Sequence, residues 1–118
     1  MPQRLAAFLA GITGASAIAL GAFGAHSLKT LLFLHGAHDI WNKAVLYHLV
    51  HAVALLWIVR GSSVRVIPFF CWFLGILFFS GSLYMLAITG KSWWGPLTPI
   101  GGGLLIAGWL FVAVQKPQ

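Results

Sequence analysis

Four long apolar runs organise the chain, at about 5–25, 43–59, 66–88 and 98–114, separated by short stretches richer in charge, glycine and proline. A helix that crosses a hydrocarbon core of about 30 Å needs roughly 17–25 apolar residues, and each run reaches that length. The run at 43–59 is short for a span, with Trp41 and Arg60 flanking it as anchors. Within a bilayer the backbone must satisfy its own hydrogen bonds, so the runs are read as helices. No strict apolar/polar alternation of the kind a membrane β-barrel needs is present. The pattern predicts an all-α fold: one membrane domain over 1–118, built as an integral membrane four-helix bundle.

The stretch between the first two runs is too apolar for an ordinary loop. Leu28, Leu31 and Leu32 share a helical face with His35, and Ser27 is placed to cap it. This predicts a short interfacial helix over about 27–40, lying on the membrane surface and interrupted or ended by Gly36. Within the first span, Ala6, Ala10 and Gly14 form one row and Ala17, Gly21 and Ala25 another. Small residues four apart let backbones approach, so this span is expected to sit against two neighbours. The last span opens on Thr98 as N-cap with Pro99 at the first helical position. Gly101, Gly102 and Gly103 follow and offer a flat packing surface.

Composition agrees with the pattern. The 118 residues are 60% hydrophobic and only 7% charged, too little charge for a water-facing surface. Net charge is +6, but the seven Lys and Arg are scattered at span ends, so nucleic acid is not an expected partner and the lipid bilayer is. Arg4, Arg60, Arg65 and Lys116 fall on one side; Lys29, Lys43 and Lys91 fall on the other, offset by Asp39. That bias places both termini in the cytoplasm. Trp41, Trp93 and Trp94 are read as an outer aromatic belt, and Trp57, Trp72 and Trp109 as an inner one. The N-terminal run imitates a secretory signal, but at about 21 residues it is too long for an h-region and is read as the first span. Cys71 is the single cysteine and can form no intrachain disulfide.

Antiparallel spans bring several polar residues to a similar depth in the outer half. His26 ends the first span, His48 lies about 7–8 Å below Lys43, and His51 follows at i+3. Tyr84, Ser80 and Ser82 occupy the third span at matching depth, and Tyr47 joins them. Together they predict one polar cluster. Ionisable residues within spans face a bundle interior, a partner or water. Histidines there either tie helices together, handle a proton or ligand, or hold a metal or haem, and the first use is the commonest. His35, His38 and Asp39 have metal-like spacing but too few ligands for a structural site, so no metal or cofactor is expected. With one acid in the chain there is no carboxylate pair, and phosphate loops, nucleophile elbows and CxxC pairs are absent. Catalysis is not expected.

Taken in order, Gly21-Ala22-Phe23-Gly24-Ala25-His26, Tyr47-His48 with His51-Ala52, Phe79-Ser80-Gly81-Ser82-Leu83-Tyr84 and Thr98-Pro99-Ile100-Gly101-Gly102 resemble a known family. It is the domain-of-unknown-function family 423 of small bacterial membrane proteins, itself similar to a small mitochondrial transmembrane protein. The resemblance covers nearly the whole chain. It implies a four-span inner-membrane protein, with no accepted activity and no established site. His26, His48, His51, Tyr84, Thr98 and Pro99 match its motif positions, whereas His35 and His38 fall where its pattern is loose. The leading functional expectation is a structural or accessory subunit that packs in a homo-oligomer or a larger membrane complex. The alternatives are a small transporter, proton conduit or ligand-binding protein using the His/Tyr cluster, and, more weakly, a membrane enzyme or haem carrier.

Overall fold

The computed structural model of the chain describes residues 1–116. Five α-helices follow one another: α1 (Gln3–Ala25), α2 (Lys29–Leu34), α3 (His38–Val59), α4 (Val66–Thr89) and α5 (Leu97–Val114), with a 3-10 turn at Ser92–Trp94. Four of them are long and apolar enough to cross a membrane. They form an antiparallel bundle in which α1 packs on α3, α3 on α4, and α4 most extensively on α5. The central pair is α3 and α4, each with 44% of its span buried, against 22% and 17% for the spans of α1 and α5. The start of α1 and the end of α5 lie on one face, the terminal face. There Gln3 Nε2 donates to the carbonyls of Val59 (2.6 Å) and Gly61 (3.0 Å), and Arg65 Nη2 donates to that of Lys116 (2.8 Å). The opposite, distal face carries α2.

The interfacial segment is shorter than its composition suggested. α2 occupies six residues, residues 35–37 form the turn after it, and His38 to Ile40 open α3. Gly36 explains the break, because it takes φ +60°, a left-handed conformation that side chains with a Cβ resist. The end of α2 is a Schellman motif: Ala37 N–H donates to Leu32 O (2.8 Å) and Gly36 N–H to Phe33 O (3.1 Å). Leu32 and Ala37, the apolar pair that accompanies this motif, are both buried. α2 is therefore docked onto the ends of α3 and α4. Ser27 does not cap it; Leu28 stands at that position without a side-chain bond. Asp39 falls in the first turn of α3, where its charge complements the helix dipole.

Two further expectations change. The two small-residue rows of α1 do not face two neighbours: its backbone lies closely against α3 alone among the long helices. Steps of four drift around a helix, whereas Ala6, Ala10, Thr13, Ala17 and Gly24, the buried positions, step by about three and four along one straight face. Thr98 is not the cap of α5. The helix starts at Leu97, and the Thr98 hydroxyl instead meets Ser82 Oγ at 2.6 Å. Pro99 still falls in the first turn, where its missing N–H has no partner to lose.

The aromatic belts are also incomplete, because Trp41 and Trp72 are core residues, 1% and 0% exposed. Each indole lies over a glycine of the adjoining helix and donates to a backbone carbonyl there. Trp41 covers Gly24 and donates to Leu20 O (2.9 Å); Trp72 covers Gly108 and donates to Leu105 O (3.2 Å). A Cβ at either glycine would enter the indole. Trp57, Trp93 and Trp109 do remain exposed on the flanks. The core itself comes in two parts. One, on the terminal side, gathers Ala6, Leu55, Phe69, Trp72 and Leu105; the other, on the distal side, gathers Leu32, Trp41, Leu83 and Ala87. Between them the buried side chains include His48, His51 and Ser80.

α4 and α5 approach most closely at Gly101, where an added Cβ would collide with the backbone of Phe78 and Phe79. Gly101→Ala is expected to destabilise the bundle by about 1–3 kcal/mol in mixed-micelle unfolding. Gly103→Ala, whose new Cβ meets nothing within 4 Å, is expected to change stability by less than about 0.5 kcal/mol.

Candidate functional site

The polar residues of the spans separate into distinct groups. His48, on α3, is 6% exposed and bonded at both ring nitrogens: Nδ1 lies 2.8 Å from Tyr84 Oη on α4 and Nε2 lies 3.2 Å from Ser16 Oγ on α1. Ser16 donates its single proton to Thr13 O (2.8 Å). The polarity of the chain follows. His48 Nε2–H donates to Ser16 Oγ, and His48 Nδ1 accepts the Tyr84 hydroxyl proton. The run Tyr84 to His48 to Ser16 to Thr13 O uses every proton and ties three helices together.

His51 belongs to a different group. Its Nδ1 lies 2.7 Å from Tyr47 O, one turn back, and its Nε2 accepts from Trp109 Nε1 at 2.9 Å. A carbonyl can only accept and an indole N–H can only donate, so the ring is held as the Nδ1–H tautomer. His51 also meets Trp72 and Trp109 edge-on, with centroids 6.2 and 5.8 Å away. It fastens α5 to α3. The Tyr47 ring is half-exposed and packs on Phe79 at 4.9 Å.

The other expected members stand apart. Ser80 Oγ donates across to Ala44 O (2.7 Å), while Ser82, two residues on and so about 200° around α4, faces α5 and Thr98. His26 is exposed, at the C-cap after the last turn of α1, and does not join the cluster. His35 Nδ1 donates to Ala87 O (2.9 Å), fixing α2 to the end of α4. No three metal-binding side chains converge among the described residues. A single cluster fails to form because α3 is central: His48 and His51, although on one face, reach different neighbours.

Ser16, Thr13 and Trp109 complete the groups and were missed from sequence. Beyond Arg4, Thr13 and Ser16 are the hydroxyl pair of an otherwise apolar α1, at i, i+3, which is the signal that was available. Trp109 was concealed by its reading as a belt residue.

The His48 group forms the floor of a groove of about 300 Å³ between α1 and α4. Its walls are apolar, with Leu9 and Ile12 on one side and Phe73 and Leu77 on the other, and no charged residue lines it. Ile12 and Leu77, each more than half exposed, stand at its mouth, so the groove opens sideways toward the surrounding lipid.

Four apolar helices with buried uncharged hydrogen-bond chains and a lateral groove define a small multi-span membrane protein. Residues 20–102 match the family described as a protein of unknown function (DUF423), and the chain belongs to it. It is similar to the UPF0382 membrane protein SAB0533 of Staphylococcus aureus (strain bovine RF122 / ET3-1), at 38% identity over 95% of this chain and 94% of that protein. It is also similar to the UPF0382 membrane protein YwdK of Bacillus subtilis (strain 168), at 36% identity over 90% of each chain. A third relative is the UPF0382 inner membrane protein YgdD of Escherichia coli (strain K12), at 36% identity over 97% of this chain and 90% of that protein. No solved structure matches the chain.

Side-chain hydrogen bonds between membrane helices average about 0.6 kcal/mol and reach about 1.7. A double-mutant cycle of His48→Ala with Tyr84→Phe is expected to give a coupling energy in that range in mixed micelles. The cycle of His51→Ala with Tyr84→Phe, which share no bond, is expected to give a coupling near zero.

Proposed function

We propose that the chain is a bacterial inner-membrane protein that holds one neutral amphiphile from the bilayer in the groove between α1 and α4. The observation that carries this reading is the groove itself, with apolar walls and a polar floor of Tyr84, His48 and Ser16. Its volume of about 300 Å³ is at the lower end for small-molecule sites, enough for the polar end and first chain segment of a lipid. The absence of lining charge favours a neutral occupant, since an ion there would be desolvated without a partner. The free lone pairs on Tyr84 Oη and Ser16 Oγ accept, so the occupant carries a hydroxyl or N–H donor. The role is binding rather than catalysis, and no cofactor takes part. The inner-membrane placement draws on the likeness to YgdD of Escherichia coli, an inner membrane protein. The cytoplasmic placement of both termini draws on the four cations of the terminal face against three on the distal face, offset by Asp39.

Gly81 lines the groove, and a Cβ there meets nothing within 4 Å, so a large side chain fills the groove without entering the core. The wild-type chain in phosphatidylcholine vesicles is expected to crosslink a photoactivatable diacylglycerol, and Gly81→Phe to lose most of that yield with its helicity intact. Equal crosslinking of the two would remove the reading.

A second reading, an accessory subunit within an oligomer or larger complex, is favoured by one feature. Gly11, Ala15, Ala19 and Ala22 form an exposed row of small residues on α1, facing away from α3. Such rows bring membrane helices together. On this reading Gly11→Leu with Ala15→Leu shifts the detergent-solubilised protein from a larger assembly to a monomer by light scattering. An unchanged mass removes it.

A further inference from the structure

The terminal face carries a second hollow, of about 370 Å³, lined by Trp57, Ile58, Arg60, Arg65, Val112 and Gln115. It shares no lining residue with the groove between α1 and α4. Arg65 is held in place: its guanidinium lies 5.9 Å from the Trp57 ring centroid, and one N–H bonds Lys116 O at 2.8 Å. A guanidinium has five donors, so others remain free for a ligand. Arg60 stands exposed at the C-cap of α3.

Neither arginine has an acidic side chain to pair with. The chain has seven Lys and Arg against one acid, and that acid, Asp39, lies at the start of α3 on the distal face. The carbonyl end of α3, which would repel an anion, is covered. Gln3 Nε2 donates to Val59 O and Gly61 O, and Gly61 N–H donates to Ile58 O (3.4 Å). α4 begins at the same place with Arg65 as its N-cap and no side-chain cap, so the positive end of its dipole adds to the field. Within the hollow's lining, Gln115 Oε1 is buried and lacks a donor among the described residues.

We propose that this hollow binds the headgroup of an anionic phospholipid. Arg60 and Arg65 hold the phosphate, and the Gln115 amide oxygen accepts from a headgroup hydroxyl. The acyl chains leave along Trp57, Ile58 and Val112. These apolar residues argue for a lipid over a free phosphate ion: they are three of the seven residues that line the hollow, and Trp57 is 58% exposed on the flank. The charge geometry argues for an anionic lipid over a zwitterionic one, because neither arginine meets an acidic side chain among the described residues and two such cations favour a net negative partner.

The test uses the full chain in detergent, with dioctanoyl phosphatidylglycerol, dioctanoyl phosphatidylcholine and inorganic phosphate as probes, read by native mass spectrometry. The wild-type chain is expected to bind phosphatidylglycerol more tightly than phosphatidylcholine. Each arginine near the surface contributes about five-fold, so Arg60→Gln lowers that affinity about five-fold and Arg60→Gln with Arg65→Gln about thirty-fold. Lys29→Gln with Lys43→Gln, on the distal side, leaves it unchanged. Arg60→Gln alters an exposed side chain only, so wild-type affinity in that variant, with the fold intact by circular dichroism, overturns the proposal. Equal binding of the two lipids by the wild-type chain, or an equal loss from the distal lysine variant, overturns it too. Displacement of phosphatidylglycerol by inorganic phosphate at the same concentration would assign the site to the free ion and overturn the lipid assignment.

Discussion

A polar hydrogen that leaves water for a bilayer must find its acceptor inside the protein, and in this bundle that need fixes where the helices meet. Trp41 and Trp72 both meet it with a backbone carbonyl of the adjoining helix, beside a glycine that leaves room for the indole. The first contact sets the height of α1 against α3 and the second that of α5 against α4. Ser80 sets α3 against α4 through Ala44 O, and His51 draws α5 back toward α3 through Trp109. Apolar packing supplies contact area, but in lipid it has little power to choose a register, because lipid tails are as apolar as leucine. These few donors make the choice.

Span number and length were readable because they depend on one property, the run of apolar residues that a hydrocarbon slab demands. Among the spans, the boundaries differ most at the start of α3, where His38, Asp39 and Lys43 look like loop in a hydropathy pattern. Which residues face one another was far less legible. Trp41 and Trp109 look alike in sequence, yet one is buried over Gly24 and the other half-exposed beside His51. A tryptophan is equally suited to an interface and to a core with an acceptor. The row of small residues on α1 was visible, but its single partner was not, since small residues report that something comes close without saying how many neighbours do. The expected polar cluster contains His48 and Tyr84 among its members, while Ser16 falls outside it because a serine in an apolar helix carries little signal by itself.

The bundle holds two sites of opposite character. The groove between α1 and α4 exists because α1 leans on α3 and leaves its other flank clear of α4, so a gap floored by His48 remains. The hollow at the terminal face lies where α3 ends, α4 begins and α5 finishes. One is neutral and enclosed by apolar walls; the other is cationic and lies at the headgroup level. Both follow from a flattened arrangement in which α3 and α4 are central and the remaining spans attach to one side each.

That attachment bears on how the protein is made. α1 emerges first, and its buried stripe of Ala6, Ala10, Thr13, Ala17 and Gly24 has no partner until α3 arrives behind α2. In that interval the stripe is open to any neighbouring helix in the membrane. Closure comes only when Trp41, in the first turn of α3, reaches Leu20 O and slots over Gly24. α5 faces no such wait, because α4 is already in place when it enters. The N-terminal span is thus the one whose assembly is open to interception by a second nascent chain, which could exchange α1 for its own.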